Sequence, residues 1–320
     1  MARASSADKR PGWHWSDYWR AGRVEVMTGA GGEGAAPYDP EPLWRAFFET
    51  FEDGARLIDL ATGGGSVARL AAAVSREAGR GFEVVGVDYA DLGPSEGRSD
   101  EGFTLTGGVA LEKLPFEAGS FDGATSQFGI EYADVRAALA ELARVLKPGG
   151  RALILAHHAQ SAVTRAAAGQ LAGFDQVVGD GAGMRHARRA FAAHANGLPL
   201  GARRDAEAAF AQAVQRMAAR LAPDPAFDHV RAFVGYLDDL SRNMARYEPR
   251  SALARLDHAA ETNAAWRQRQ RSQLAAALDD AGAEAFLARA TRLGLSVEPK
   301  AEERDRRGEV VGWRLALRKA

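Results

Sequence analysis

Cysteine is absent from this chain, which excludes a disulfide framework, a zinc–thiolate centre and a thiol nucleophile. An excess of one charge is lacking too. The chain has 41 Lys and Arg against 42 Asp and Glu, a net charge of −1. That balance gives no electrostatic reason to expect nucleic acid or an anionic membrane as partner. No stretch is long and apolar enough to span a bilayer. The first residues carry charges but no apolar core segment, so no signal peptide is expected and a cytoplasmic protein is the default. His186, His194, His229 and His258 show no i, i+4 ligand spacing, so no metal is expected. What is present is a chain of 320 residues, 46% apolar, which suits one domain plus an addition.

The most informative stretch runs from Leu57 to Ala68. An apolar run, Leu57-Ile58-Asp59-Leu60, ends near an acid and is followed by Ala61-Thr62-Gly63-Gly64-Gly65. A helical stripe of Val67, Leu70, Val74 and Ala78 comes next. That reads as strand, tight turn and helix. Glycines let the backbone approach a ligand, and the helix N-terminus offers N–H groups to acidic or polar atoms. A nucleotide-like cofactor is the first reading. Gly63, Gly65 and Ala68 fit the dinucleotide pattern, and Asp88 closes the next apolar run at the distance of a ribose-binding acid. On these residues alone, a nicotinamide cofactor stays open.

Four segments in order then carry a resemblance: Asp59 to Gly65; Val85-Gly86-Val87-Asp88-Tyr89; Leu111-Glu112-Lys113-Leu114-Pro115-Phe116 with Ser120-Phe121-Asp122; and Arg144 to Gly150. Together they resemble class I S-adenosylmethionine-dependent methyltransferases over roughly residues 55 to 157. The resemblance implies S-adenosylmethionine as cofactor and S-adenosylhomocysteine as product. It implies cofactor contacts from Asp59, Ala61, Thr62, Gly63, Gly65, Asp88, Tyr89, Leu111 and Glu112. Gln127 and Phe128, in the loop after the fourth core strand, are implied on the methionine side. The family usually has glycine where Ala61 stands, a change that is mild at negative φ and strained at positive φ. Val109 and Ala110 stand where the family often has an aspartate for the adenine amino group. Adenine recognition then falls to backbone around Leu111 and Glu112.

The expected fold is α/β, a doubly wound, mostly parallel seven-stranded sheet with helices on both faces. Its strands are read at 55–60, 82–88, 103–106, 121–127, 151–156, 295–297 and 309–317. Between Ser161 and Asp280 the pattern becomes helical, with stripes at Phe210, Val214, Met217 and Leu221, then Val230, Phe233, Leu237, Leu240 and Met244. The division expected is residues 1–40 as an aromatic flap and Gly-rich loop, 41–158 with 284–320 as core, and 159–283 as a helical insertion. Such an insertion is expected to roof the cofactor and shape an acceptor pocket, or to pair two copies as a homodimer. Residues 1 to 12 are polar and expected to be disordered.

Methyl transfer chiefly needs alignment and exclusion of water; a base is needed only for an acceptor that holds its proton tightly. His157 and His158 follow the fifth core strand; alternation lets at most one face the acceptor, where it is expected to act as general base near neutral pH. Glu131 and Tyr132 are the other candidate acceptor residues. Trp15, Tyr18 and Trp19 share one helical face. Trp15 or Tyr18 is expected to close on the cofactor as a flap hinged at Gly29–Gly34, a ring face near a sulfonium being favourable. The reading is a methyltransferase acting on a small molecule or short peptide, with oxygen slightly ahead of nitrogen. An NADP-dependent oxidoreductase and a non-catalytic cofactor-binding homologue are the alternatives.

Overall fold

The computed structural model describes residues 12–21 and 38–320. The Gly29–Gly34 hinge and all but the last of residues 1–12 lie outside them. The described residues form two compact units: those up to Thr164 with Ser272–Ala320, and Arg165–Arg271.

The first unit is built on a sheet. Helices α1 (Trp13–Arg20) and α2 (Glu41–Phe48) precede β1 (Arg56–Leu60), α3 (Ser66–Glu77), β2 (Glu83–Val87), β3 (Gly97–Arg98), β4 (Phe103–Thr106) and β5 (Phe121–Gln127). Then come α4 (Val135–Val145) and β6 (Leu146–His157). The strand order is β3-β4-β2-β1-β5-β6, continued after a long helical stretch by β9 (Val310–Lys319) and β7 (Leu295–Val297). The short β8 (Ala301–Arg304) also pairs with β9. β4, β2, β1, β5 and β6 are parallel; β9 runs antiparallel to β6, from Arg151↔Arg318 to His157↔Gly312.

Parallel strands buried on both faces read as apolar runs because successive side chains enter different cores. Leu57 packs with Phe48, Val74 and Leu153 on one face. Its neighbour Ile58 packs with Leu139, Phe286 and Leu315 on the other. Asp134 caps α4 by accepting from the backbone of Arg136 and Ala137, worth about 1 kcal/mol.

The sheet has nine strands, not seven. The additions are β3, only two residues long, and β8, whose Ala-Glu-Glu-Arg carries no apolar signal because it sits at an edge. The boundary expected at residue 283 also moves, to Ser272. Helix α10 (Asp280–Arg292) places Ala283, Phe286, Leu287 and Ala290 in the core that holds Leu139 and Leu315.

The second unit is all helical. It contains most of α5 (Ala162–Val178), all of α6 (Ala182–Ala195), α7 (Leu200–Ala218) and α8 (Asp228–Arg242), and α9 (Pro249–Ala276) up to Arg271. Its own core gathers Phe174, Phe191, Phe210, Val230, Leu237 and Leu256. No helix among the described residues is long and apolar enough to cross a membrane.

Candidate functional site

A cavity of about 690 Å³ opens at the carboxyl ends of β1, β2, β5 and β6, and every residue lining it belongs to the sheet unit. Ligands of doubly wound sheets bind at this edge. The volume is in the range of small-molecule and cofactor sites.

Its floor starts where β1 ends. Asp59 is 3% exposed; Thr62 Oγ1 donates to its Oδ2 at 2.6 Å and Thr125 Oγ1 to its Oδ1 at 2.8 Å. Burial pushes its carboxyl up to about 6, against the pull of those two hydroxyls. Ala61 then turns left-handed, at φ 54. An alanine in this region costs about 1–2 kcal/mol. Its methyl group lies 2.5 Å from where a Cβ on Gly129 would stand, so glycine at 129 makes room for it.

At the end of β2, Asp88 accepts from the backbone of Gly63 and Ala90, each at 2.8 Å. Burial pushes its carboxyl upward. Tyr89, Leu111 and Glu112 continue this wall. Trp44 Nε1–H donates to Gln127 Oε1 at 2.6 Å. An indole can only donate, so this bond fixes which end of the amide it takes. Phe128 takes a left-handed φ of 52, rare for a bulky residue. Its ring stacks on His157 at 4.5 Å.

The turn after Phe128 is tight. Ile130 N–H donates to Ser126 Oγ at 3.0 Å, and Tyr132 N–H to the Gly129 carbonyl at 3.0 Å. It holds Glu131 inward, 6% exposed, with Oε1 accepting the His157 backbone N–H at 2.8 Å. Burial pushes the Glu131 carboxyl up to about 7. Glu131 Oε2, Tyr132 OH and His157 Nδ1 are buried with no hydrogen-bond partner among the described residues, and all three residues line the cavity. Burial also raises the Tyr132 phenol well above its ordinary value.

The expectation of a histidine titrating near neutral pH is corrected. Burial lowers His157 to about 3, so its imidazole is neutral across the physiological range. His158 does not line the cavity. It lies tilted against Trp313 at 4.4 Å, its Nδ1 accepts from the Gln160 backbone, and its Nε2 is 3.7 Å from Glu302. Strand alternation sends the two neighbours to opposite faces.

Helix α1 forms another wall. Trp15 lines the cavity and meets Tyr132 edge-on at 5.7 Å. Tyr18 does not line it; its ring packs edge-on against Trp19 at 4.9 Å. Asp91 anchors the helix through Arg20 at 2.7 Å and through its own backbone N–H to Ser16 Oγ at 3.0 Å. Gly63 and Gly65 are also absent from the lining. The Trp19 ring covers Gly63 so closely that any Cβ there would collide with it.

Of the sequence candidates, Asp59, Ala61, Thr62, Asp88, Tyr89, Leu111, Glu112, Gln127 and Phe128 meet at one cavity, with Trp15, Glu131, Tyr132 and His157. Sequence reasoning missed His14 and Trp19, and Ser272, Ala275 and Ala276 from the last turn of α9. The i, i+4 spacing from Trp15 could have found Trp19. Nothing local marks Ser272, whose Oγ lies 3.2 Å from His14 Nε2. Among the described residues, no group of three His, Asp or Glu could hold a metal ion.

Residues 58–154, just under a third of the chain, match the family described as "Methyltransferase domain". The chain is 37% identical over 112 residues to the ubiquinone/menaquinone biosynthesis C-methyltransferase UbiE of Geobacter sulfurreducens, covering 33% of this chain and 43% of that protein. It is 40% identical over 107 residues to the demethylmenaquinone methyltransferase of Thermus thermophilus, covering 31% and 46%. The matches thus span less than half the length of these relatives. Among solved structures, an S-adenosylmethionine-dependent methyltransferase from Mesorhizobium loti is 30% identical, covers 40% of this chain and 57% of that one, and has a TM-score of 0.31.

Proposed function

We propose that this chain, which carries a class I S-adenosylmethionine-dependent methyltransferase domain, transfers that cofactor's methyl group to a small acceptor bound at Glu131, Tyr132 and His157. The observation that carries the reading is a cavity at the strand ends with a motif-borne acid on one wall and, on another, three residues whose buried polar atoms have no partner among the described residues.

The residues present fit the cofactor. Each oxygen of Asp88 accepts one backbone N–H and keeps a second lone pair for a ribose hydroxyl. Leu111 offers an apolar surface beside Glu112, suited to a base, and Asp59 and Gln127 line the end assigned to the methionine part. When bound, S-adenosylmethionine supplies an electrophilic methyl group on a positively charged sulfur.

The chain's own residues do the rest. Glu131, pushed to about 7, is poised to take a proton from the acceptor through Oε2 near neutral pH. Its Oε1 is committed to the His157 backbone, which fixes the direction of Oε2. Neutral His157 and Tyr132 orient the acceptor by hydrogen bonds, and the rings of Trp15 and Phe128 exclude water. Oxygen is favoured over nitrogen as the receiving atom, because a base is provided where an amine needs none. The Geobacter relative is named a C-methyltransferase, so carbon is the third outcome to score.

Calorimetric titration with S-adenosylhomocysteine, with NADP as control, tests the reading. Micromolar binding is expected, weakened at least about tenfold, or 1.4 kcal/mol, in Asp88→Ala. Binding of NADP instead would establish the oxidoreductase alternative. Cofactor binding without turnover on any acceptor would establish a non-catalytic homologue.

A further inference from the structure

Four carboxylates line the cavity, those of Asp59, Asp88, Glu112 and Glu131, and no lysine or arginine does so among the described residues. A carboxylate- or phosphate-bearing acceptor would bring its charge into a buried space beside Glu131 with no side-chain cation to meet it, which is costly. The surroundings of Glu131 are rings. Tyr132 stands edge-on to both Trp15 and His157, at 5.7 and 5.8 Å, and Phe128 stacks on His157. Such walls receive a flat ring through stacked and edge contacts.

We infer that the acceptor is an uncharged aromatic hydroxyl compound, its ring held among Trp15, Phe128 and Tyr132 and its hydroxyl donating to Glu131 Oε2. This rests on the methyl-transfer reading. The charge balance of the reaction favours it. The hydroxyl oxygen forms the new bond to the methyl carbon. The sulfur–methyl bond breaks with its electron pair left on sulfur, and the hydroxyl proton passes to Oε2. A cation and an anion enter; a thioether, a methyl ether and a carboxylic acid result, all neutral. A buried site favours a step that removes charge from both partners. An amine arrives chiefly as ammonium, and pairing with Glu131 would tie up the lone pair it needs.

The test uses the whole chain and three probes of one ring system: 2-naphthol, 2-naphthoate and 2-naphthylmethylamine. Each is titrated calorimetrically into protein saturated with S-adenosylhomocysteine. Naphthol is expected to bind at least about tenfold more tightly than either charged probe. Glu131→Gln is expected to weaken naphthol about tenfold and leave S-adenosylhomocysteine affinity unchanged. Tighter binding of the acid or the amine, or no binding of naphthol, overturns the inference and leaves the cofactor result standing. Failure to bind S-adenosylhomocysteine at all overturns the methyl-transfer reading, and this inference with it.

Discussion

Replacing Glu131 by glutamine should stabilise the protein at high pH and leave it nearly unchanged at low pH. Glu131 is 6% exposed, and burial raises its carboxyl from 4.5 to about 7, against the pull of backbone N–H groups at His157, Glu131 and Gly129. The groups around it are Tyr132 on the same turn and neutral His157 from β6. Below pH 4.5 the side chain is protonated in both folded and unfolded chains, so it is neutral toward folding. Between 4.5 and 7 the unfolded chain loses the proton while the folded chain keeps it, and stability falls as pH rises. Above 7 the loss levels off at roughly 3 kcal/mol, the free-energy equivalent of moving the carboxyl from 4.5 to about 7. Glutamine is neutral throughout and can still accept from the His157 N–H. The variant should therefore match the wild type near pH 4.5 and exceed it by up to about 3 kcal/mol at pH 8. Asp59 and Asp88 are raised in the same direction, but they remain in both proteins and cancel in the difference. Urea denaturation of both proteins at four pH values between 4.5 and 8 measures this, provided the m-values agree. Parallel stability curves, or a variant weaker at pH 8, would refute the reasoning. Methyl transfer should meanwhile fall by about 10²–10⁴, the usual contribution of a positioned base.

Three further outcomes are expected. Gly129→Ala should destabilise by about 1–3 kcal/mol, because its methyl would stand 2.5 Å from that of Ala61; adding Ala61→Gly should recover most of the loss, and additive effects in a denaturation cycle would sink the assignment. His158→Ala should leave S-adenosylhomocysteine affinity and any methyl-transfer rate unchanged, whereas His157→Ala should lower the rate; kinetics of the two variants separate the faces of the strand end. Trp19→Ala should expose the Gly63 turn, seen as faster amide exchange at Gly63 and Gly64 by mass spectrometry.

The parts of this fold that could be read from sequence are those whose signal is local. β1, β2, β5 and β6 announce themselves because both faces are buried, and the glycine turn because its acid and glycines are contiguous. β3 and β8 gave no signal, being a two-residue fragment and a polar edge. The expected boundary at residue 283 falls inside α10, because nothing local says against which core its Ala283, Phe286, Leu287 and Ala290 pack. The site divides in the same way. Asp59, Thr62 and Asp88 follow from one motif and its neighbour, whereas Ser272, Ala275 and Ala276 come from the far end of a long helix. The strand period said that His157 and His158 face apart. It could not say which faces inward, or that burial would lower the inward one to about 3 and raise Glu131 to about 7.

The two non-glycine residues at positive φ among those described, Ala61 and Phe128, follow the ends of β1 and β5. These strands are paired neighbours, with Asp59 opposite Thr125. A left-handed residue at this point breaks the extended course of the chain at once. Two of them side by side turn both chains off the edge at the same level, and Gly129 lets the second pass the methyl of the first. The strain, about 1–2 kcal/mol at Ala61, is borne where the sheet is buried on both faces and cannot relax easily. The same turn after β5 carries Glu131 inward and holds it against the backbone of β6. Strained backbone, buried carboxylate and unpartnered oxygen thus have one structural cause, the abrupt end of two adjacent parallel strands. A substitution that relaxed this edge would lose the site before it lost the fold.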